Sequence, residues 1–309
     1  MDSLLHTVFQ PGFFSSDEVR TALIVGGVVA AISGVVGVFT VLRGQSFAGH
    51  SLADIGTTGG SGAFLVGASP LLGFLVFTVA GAGSMELIGI RRARGRDLAT
   101  GIVLGVSLGV SALFLYWDTT VHNTSGATMT ILFGSIFAIS TSTIPLVVVL
   151  GLVSLAAVVL VYRPLLLTAV DPDMAAARGV RVRLVGLVYL ATLAIAVALS
   201  AITIGSILST ALLIGPAATV VRLTRRPATA MLLAAVLGVA VTWIGVLLAY
   251  DSYTWPPAHH GWPASFMVVA LVFLAYLVAE VTTGLAGRSR ARRLDRATGR
   301  APRVGTVAG

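Results

Sequence analysis

The sequence contains no cysteine and no lysine, and only 10% of its 309 residues are charged. Because cysteine is absent, the chain can form no disulfide, no thiolate metal site and no thiol nucleophile. A soluble domain has roughly 25% charged residues. The low charge, together with a mean hydropathy of +0.97, therefore indicates an integral membrane protein.

The sequence also lacks the motifs expected of an ATPase or of an enzyme with a covalent intermediate. It contains no G-x-x-x-x-G-K-[ST] phosphate-binding loop and no nucleophile paired with a base. We therefore expect a protein that is not an enzyme, and any ATP-driven transport would need an ATPase on a separate polypeptide. The N-terminus has no basic region ahead of a short apolar core, so no cleaved signal peptide is predicted.

Apolar segments of about 20 residues recur along the whole chain, and each can cross roughly 30 Å of hydrocarbon as a helix. They predict an all-α fold, a polytopic transmembrane helical bundle with eight or nine spans. The predicted spans are residues 20–42, 50–67, 70–90, 98–117, 143–162, 184–201, 203–218, 229–249 and 264–285. The shorter segment "TSGATMTILFGSIFAIS" (124–140) is expected to form a partial, re-entrant or interfacial helix.

Arginine supplies all 20 basic residues, and its distribution sets the predicted orientation. A net charge of +8 would also suit nucleic acid, but these arginines cluster in loops between spans, which indicates membrane topology instead. The clusters expected in the cytoplasm are Arg43, residues 91–96, Arg163, Arg178, Arg181, Arg183, residues 222–226 and the tail. The pattern predicts an extracytoplasmic segment (1–19), a transmembrane domain (20–287) and a disordered, arginine-rich cytoplasmic tail (288–309).

The stretch "RGQSFAGHSLADIGTTGGSG" (43–62) places two ionisable side chains, His50 and Asp54, near the middle of the membrane. The same helical face continues with Thr57, Thr58 and Ser61, which are expected to line the same path. Intramembrane ionisable residues usually mark a transport path, although a His–Asp pair that braces two helices is an alternative. An imidazole and a carboxylate one turn apart also suit a first-row divalent cation. One pair offers too few ligands, but a two-fold homodimer would offer two pairs.

A short helix is predicted in the cytoplasmic loop "LTAVDPDMAAARGVRVR" (167–183). Pro172 is placed to begin the helix and Gly179 to end it, since proline suits the first turn and glycine the residue after the last. Asp171, Asp173 and the arginines that follow make this loop a candidate docking element for a cytosolic partner. A simple connector between two spans is the alternative.

Two other regions carry candidate residues. In "AITIGSILSTALLIGPAATVVRLTRRP" (201–227), glycine and proline interrupt an apolar run, and broken helices at membrane depth often line a substrate path. A simple proline kink is the alternative. The run is interrupted at Gly205, Gly215 and Pro216, and of these Gly205 and Pro216 are the path-lining candidates.

The predicted outer loop carries a further set of candidates. There a cation could be concentrated by Asp251, His259 and His260, although a solvated loop is the default interpretation.

Several segments together carry a resemblance to a known family. They are "VLRGQSFAGHSLADIG" (41–56), "RDLATGIVLGVSLG" (96–109), "ILFGSIFAIS" (131–140), "DPDMAAARGV" (171–180), "GSILSTALLIGPAAT" (205–219) and the region from Asp251 through "PASFMVVALVFLAYLV". With these segments in this order, most of residues 20–285 resembles the membrane permeases of the manganese/zinc/iron ABC importers. The resemblance implies a multi-pass protein of a prokaryotic cytoplasmic membrane, with no nucleic-acid partner.

The resemblance also implies partners, a cargo and site residues. It implies a homodimer, or a dimer of related permeases, on two cytosolic ATPases, with an extracytoplasmic solute-binding protein that delivers Mn²⁺, Zn²⁺ or Fe²⁺ and no permanently bound cofactor. The ATPase-coupling loop would contain Asp171, Pro172, Asp173, Ala175, Ala176 and Gly179. The family's metal site uses an aspartate and, four residues later, a histidine. These positions correspond to His50 and Asp54, so the two residue types are exchanged here.

Other kinds of transporter remain as alternatives at this point. A permease for a metal chelate, siderophore or cobalamin would need a wide cavity. A narrow ring of His and Asp side chains argues against this alternative. An ion-coupled secondary carrier would need no ATPase, but it predicts internal repeats and buried charges on several spans, and no convincing repeat occurs. A purely structural membrane scaffold would leave the His50/Asp54 pair without a purpose.

Overall fold

The computed structural model describes residue 13 and residues 16–88, 93–121, 126–254 and 261–297, and no strand occurs in these ranges. The α-helices are α1 (Asp17–Leu42), α2 (Ser46–Leu65), α3 (Pro70–Ile88), α4 (Ala93–Val121), α5 (Gly126–Phe133), α6 (Ile144–Leu160), α7 (Tyr162–Val170), α8 (Pro172–Ala177), α9 (Val182–Ile204), α10 (Ser209–Leu223), α11 (Pro227–Asp251) and α12 (Ala264–Ala297). Short 3₁₀ helices occupy Ile136–Ala138, Thr141–Thr143 and Ser252–Thr254. The predicted all-α fold is confirmed.

A helix is present at each predicted span. Within the described part of the chain, six segments are long and apolar enough to cross a membrane: Asp17–Leu42, Leu104–Val121, Thr141–Leu160, Val182–Ile204, Pro227–Asp251 and Ala264–Gly284. Two shorter apolar helices occupy Pro70–Met85 and Ser209–Leu223. The remaining predicted span corresponds to α2, which is long but carries the polar stripe that includes His50 and Asp54. The protein is therefore a multi-pass helical membrane protein.

Helices α1 and α9 form the centre of the bundle. In each of them 72% of an apolar 18-residue stretch is buried inside the protein, whereas the corresponding share is at most 33% in α4, α6, α11 and α12. Small residues bring the helices close together, because a Cβ on Gly37 of α1 would overlap the carbonyl oxygen of Leu213 in α10. A Cβ on Gly34 would lie 2.6 Å from the backbone of Ala234 in α11.

Two broken helices meet at a pair of glycines. Gly134 (φ 73°) follows the end of α5 and Gly205 (φ 90°) the end of α9, and a Cβ on either residue would overlap the backbone of the other segment. The amide of Ser206 donates to the carbonyl oxygen of Ile131 at 3.1 Å. This bond satisfies one of the carbonyl oxygens that have no partner within α5 at its C-terminal end. The segment 124–140 thus contains a partial helix, one of the three predicted forms.

This junction corrects the predicted boundaries around the broken run. Residues 203–204 belong to α9, and the interruption covers 205–208, before α10 begins at Ser209. Pro216 was predicted to interrupt the run, but it lies buried within α10, whose helix continues on both sides of it. The positive φ of Gly205, rather than the proline, causes the break.

The last helix is longer than the predicted span. Helix α12 continues past residue 285 to Ala297, so the part of the tail from residue 288 to 297, expected to be disordered, is helical. Residues 298–309 lie outside the described part of the chain. The arginine-rich segment therefore begins as a direct extension of a membrane helix.

Candidate metal site and docking helix

His50 and Asp54 form a pair on one face of α2. The helix begins at Ser46, after a turn in which Gly44 adopts φ 62°, and the i,i+4 spacing brings imidazole Nε2 to 3.7 Å from carboxylate Oδ2. Asp54 lies roughly 12 Å along the helix from its start, closer than the roughly 16 Å expected when the helix is counted from Arg43. The pair thus lies in the second and third turns of α2.

The pair is open to the surface of the chain. The His50 side chain is 50% exposed and that of Asp54 is 14% exposed, while Phe47, one turn earlier, is 53% exposed. Among the described residues, no group of three or more His, Cys, Asp or Glu side chains comes together. One chain therefore presents two neighbouring ligands and an open side, on which further ligands could approach.

The rest of the polar stripe is buried between helices. Thr58 donates to the carbonyl oxygen of Ser107 in α4 at 2.9 Å, and its hydroxyl lies 3.0 Å from that of Ser111. Thr57 and Ser61 donate to carbonyl oxygens of α2 itself, at 2.8 and 2.7 Å. These three residues, which are expected to line the path, are buried in the structure, and Thr58 bonds to α4.

The other candidates are distributed over the bundle. Gly205 and Pro216 are buried, Gly205 at the junction with Gly134 and Pro216 inside α10. Asp251 is the last residue of α11 and half-buried. His259 and His260 lie outside the described residues. The described structure brings none of these side chains into the His50–Asp54 pair.

The predicted short helix is present as α8. Asp171 begins it, because its carboxylate Oδ1 accepts from the amides of Asp173 at 2.9 Å and Met174 at 3.0 Å. Gly179 ends the segment with φ 80°, as expected for a residue that follows a helix. Ala175 is buried against the bundle, so α8 is held in place on one side.

The other side of α8 presents apolar surface. Met174 is 46% exposed, and Val170, at the end of α7, is 84% exposed. Pro172, Asp173, Ala176 and Ala177 are exposed as well. The outer side of this short, capped helix thus carries exposed apolar side chains, and such surface often marks a protein–protein contact.

Comparison with known proteins identifies the family. Residues 15–282 match the family model described as "ABC 3 transport family". The chain belongs to this family. Similar permeases include the manganese transport system membrane protein MntC of Halalkalibacterium halodurans, 30% identical over 79% of this chain and 84% of that protein. The high-affinity zinc uptake system membrane protein ZnuB of Haemophilus influenzae is 27% identical over 67% of this chain and 78% of that protein.

A solved structure has the same fold. PsaBC from Streptococcus pneumoniae in complex with Fab gives a TM-score of 0.71 at 24% identity, and the match covers 87% of this chain and 92% of that chain. The family match confirms the predicted membership among the permeases of metal ABC importers. An ABC permease is a membrane transport subunit, which agrees with the expectation that this chain is not itself an enzyme.

The sequence interpretation missed one cluster of this permease. Arg43, interpreted only as a marker of the membrane boundary, donates from Nη1 to the Thr168 hydroxyl at 3.0 Å and lies 5.0 Å over the Tyr189 ring. The contact places the turn after α1 and the end of α7 at the same end of the bundle, as the arginine pattern predicts. Tyr189, a single aromatic in an aliphatic stretch of α9, was the available signal.

Proposed function

We propose that this permease moves a divalent transition metal ion, Mn²⁺, Zn²⁺ or Fe²⁺, across the cytoplasmic membrane of a prokaryote, driven by separate ATPase subunits. The adjacent His50 and Asp54 side chains, 3.7 Å apart on α2, carry the proposal, because imidazole and carboxylate are ligands that such ions accept. Relatives named as manganese and zinc transport proteins support the same class of cargo.

A second permease subunit would complete the ligand set. His50 and Asp54 face an open side of the chain, and two copies related by a two-fold axis present two imidazoles and two carboxylates to one ion. The ring replaces part of the ion's hydration shell at the point where the two α2 helices approach each other. An extracytoplasmic solute-binding protein delivers the ion to this ring.

The docking helix α8 would receive the ATPase. Its exposed side chains, Met174 and Ala176, fit a groove of a cytosolic subunit, and the Asp171 cap keeps the helix formed before docking. ATP-driven closure of the ATPase dimer then displaces α8 and opens the site toward the cytoplasm.

Uptake of labelled Mn²⁺, Zn²⁺ and Fe²⁺ by cells that express the permease with its ATPase and binding protein tests this proposal. In Asp54→Ala we expect uptake to be abolished while membrane expression is unchanged, because the ring loses both carboxylates. Asp17→Ala is the matched control. Asp17 forms only an exposed ion pair with Arg20, at 3.6 Å, and such pairs contribute little, so its uptake should equal that of the wild type.

The three outcomes have different meanings. Saturable uptake of one cation that is lost in Asp54→Ala supports both the cargo and the site. Wild-type uptake in Asp54→Ala removes His50 and Asp54 from the mechanism. If the wild type takes up none of the three ions, the cargo is not a free divalent ion, and the permease for a metal chelate becomes the better hypothesis.

A further inference from the structure

Four side chains from three separate segments form a cluster, which we call the Arg43 cluster: Thr40 and Arg43 at the end of α1, Thr168 on α7 and Tyr189 on α9. Arg43 contacts both Thr168 and Tyr189, and the Tyr189 hydroxyl donates to Thr40 at 3.0 Å. Tyr189, Thr40 and Thr168 are all buried. A guanidinium group held in such surroundings by a hydroxyl and an aromatic face is specifically positioned.

On one side, the cluster is joined directly to the metal-site helix. Only Gly44 and Gln45 separate Arg43 from the first residue of α2, and the Gln45 amide donates back to the carbonyl oxygen of Thr40 at 2.9 Å. The turn is therefore closed by a hydrogen bond instead of being a loose linker. A displacement of Arg43 must move the start of α2, and with it the helix that carries His50 and Asp54.

On the other side, the cluster is joined directly to the docking helix. Thr168 belongs to the last turn of α7, and Asp171 alone separates α7 from α8. Asp171 bonds to both helices, since its amide donates to the Leu167 carbonyl oxygen at 3.1 Å and its carboxylate caps α8. A force applied to α8 therefore reaches Thr168 without passing through a flexible segment.

We propose that Arg43 transmits the movement of the docking helix α8 to α2, so that ATP hydrolysis changes the position of the His50–Asp54 pair. Arg43 is a positioning residue in this scheme, because it touches neither the ion nor the nucleotide. The inference rests on the proposed function for the identity of the cargo. The connection between the two helices rests on the contacts of the Arg43 cluster alone.

The chain contains a matched control for this inference. Arg222 also lies 5.0 Å over a tyrosine ring, that of Tyr276, and it forms an ion pair with Glu280. These contacts join α10 to α12 and involve neither α7 nor α8. Substitution of Arg222 removes an equivalent arginine–tyrosine contact, but one that lies outside the proposed route.

The test uses the whole complex of permease, ATPase and binding protein in proteoliposomes, with ATP hydrolysis and uptake of Mn²⁺, Zn²⁺ and Fe²⁺ measured on the same samples. A contiguous set of contacts is not by itself evidence of coupling, so the quantity that decides is metal transported per ATP hydrolysed. For Arg43→Ala we expect continued hydrolysis and a ratio lowered about tenfold, within the usual range of coupling between sites. For Arg222→Ala we expect the wild-type ratio.

A wild-type ratio in Arg43→Ala overturns the inference. So does an equal loss in Arg222→Ala, because the effect would then be a general loosening of the bundle. If the Arg43→Ala complex does not assemble, Thr168→Val decides, since it keeps the shape of the side chain and removes the hydroxyl that accepts from Arg43. The bond that this hydroxyl donates to the Leu165 carbonyl oxygen is also lost, but it lies within α7. A lowered ratio in that variant supports the route through α7, and a wild-type ratio overturns it.

Failure of the proposed function gives a different result. If the wild-type complex takes up none of Mn²⁺, Zn²⁺ and Fe²⁺, the cargo assignment fails, and the inference is decided by the stimulation of ATP hydrolysis by the binding protein. Stimulation lost in Arg43→Ala and kept in Arg222→Ala supports the connection. Stimulation kept in both variants overturns it, whatever the cargo is.

Discussion

The two halves of α2 differ in what their polar residues do. The inner half, residues 46–54, presents Phe47 and His50 to the surface and Asp54 at its edge. In the outer half, the helix is buried from residue 55 to residue 61, where Thr58 bonds to α4 and Thr57 and Ser61 bond within α2. One polar face on one helix thus divides into an open pair of ionisable groups and a set of buried hydroxyls.

This difference shows which polar residues of a membrane helix need a functional explanation. A serine or threonine hydroxyl can donate a hydrogen bond to the backbone carbonyl oxygen three or four residues earlier, so placing it in a membrane span costs little free energy. An ionised carboxylate can only accept hydrogen bonds, so it cannot bond to a carbonyl oxygen of its own helix. Ionisable side chains are also costly in lipid. His50 and Asp54 therefore carry the functional argument, while the hydroxyls contribute to packing.

The largest effect is expected from a change that separates the outer half from α3. A Cβ on Gly59 would overlap the carbonyl oxygen of Gly73 and lie 2.6 Å from the Cβ of Phe77. Gly59→Ala should force the two helices apart at a cost of about 1–3 kcal/mol or more, and we expect most of the monodisperse protein to be lost in size-exclusion chromatography. Gly83→Ala is the control, because a Cβ on Gly83 of α3 meets nothing within 4 Å. Equal yields of the two variants would contradict the close contact.

The next effect concerns the open half. The double variant His50→Asp/Asp54→His restores the order that the family resemblance implies and keeps the same ligand types one turn apart. We expect uptake to continue, with the preference between Mn²⁺ and Zn²⁺ changed about tenfold, which corresponds to 1.4 kcal/mol. The imidazole would then take the less exposed position, and the arrangement of ligands around a two-fold axis would change.

Competition between the two labelled ions measures this preference. Each single variant is the control, because a dimer with only aspartates or only histidines has lost the mixed ligand set, and its uptake should be low. An unchanged preference in the double variant would show that the order of His50 and Asp54 does not set selectivity.

Much of the fold could be predicted from the sequence, because hydropathy and arginine position report directly on the surrounding solvent. The helix of each predicted span is present, and the His50–Asp54 pairing follows from helical periodicity alone. The neighbours of each helix could not be predicted in the same way. Periodicity predicts that Thr58 shares the polar face of His50 and Asp54, but it does not reveal that α4 contacts Thr58.

The Arg43 cluster illustrates the same limit. Its central hydrogen bond joins residues 125 positions apart in the chain, and no local pattern links a boundary arginine to a threonine on another helix. Likewise, the break before α10 results from Gly205 packing against Gly134. Pro216 was the more conspicuous signal in the sequence, yet its ring fits within α10.

A smaller effect is expected from Thr58→Val, which tests the assignment of the outer half to packing. The variant loses the bond to the Ser107 carbonyl oxygen and the contact with the Ser111 hydroxyl. That carbonyl oxygen still accepts from Ser111 at 2.8 Å, so no acceptor is left unsatisfied and the cost should be about 1 kcal/mol. We expect a lower melting temperature with unchanged metal uptake. If Thr58→Val loses uptake while its melting temperature is unchanged, Thr58 lines the transport path and the assignment to packing is wrong.

The smallest effect is expected from Ser61→Ala. The Ser61 hydroxyl donates only to the carbonyl oxygens of Thr57 and Thr58, at 2.7 and 3.2 Å, and both belong to the same helix. Alanine also has the higher helix propensity, so stability should stay within about 0.5 kcal/mol of the wild type. Uptake and melting temperature, measured beside Thr58→Val, should both equal the wild-type values. If Ser61→Ala instead reduces uptake, an ion must pass the buried half of α2 in another conformation, and the division between the two halves would hold only for the conformation described by this structure.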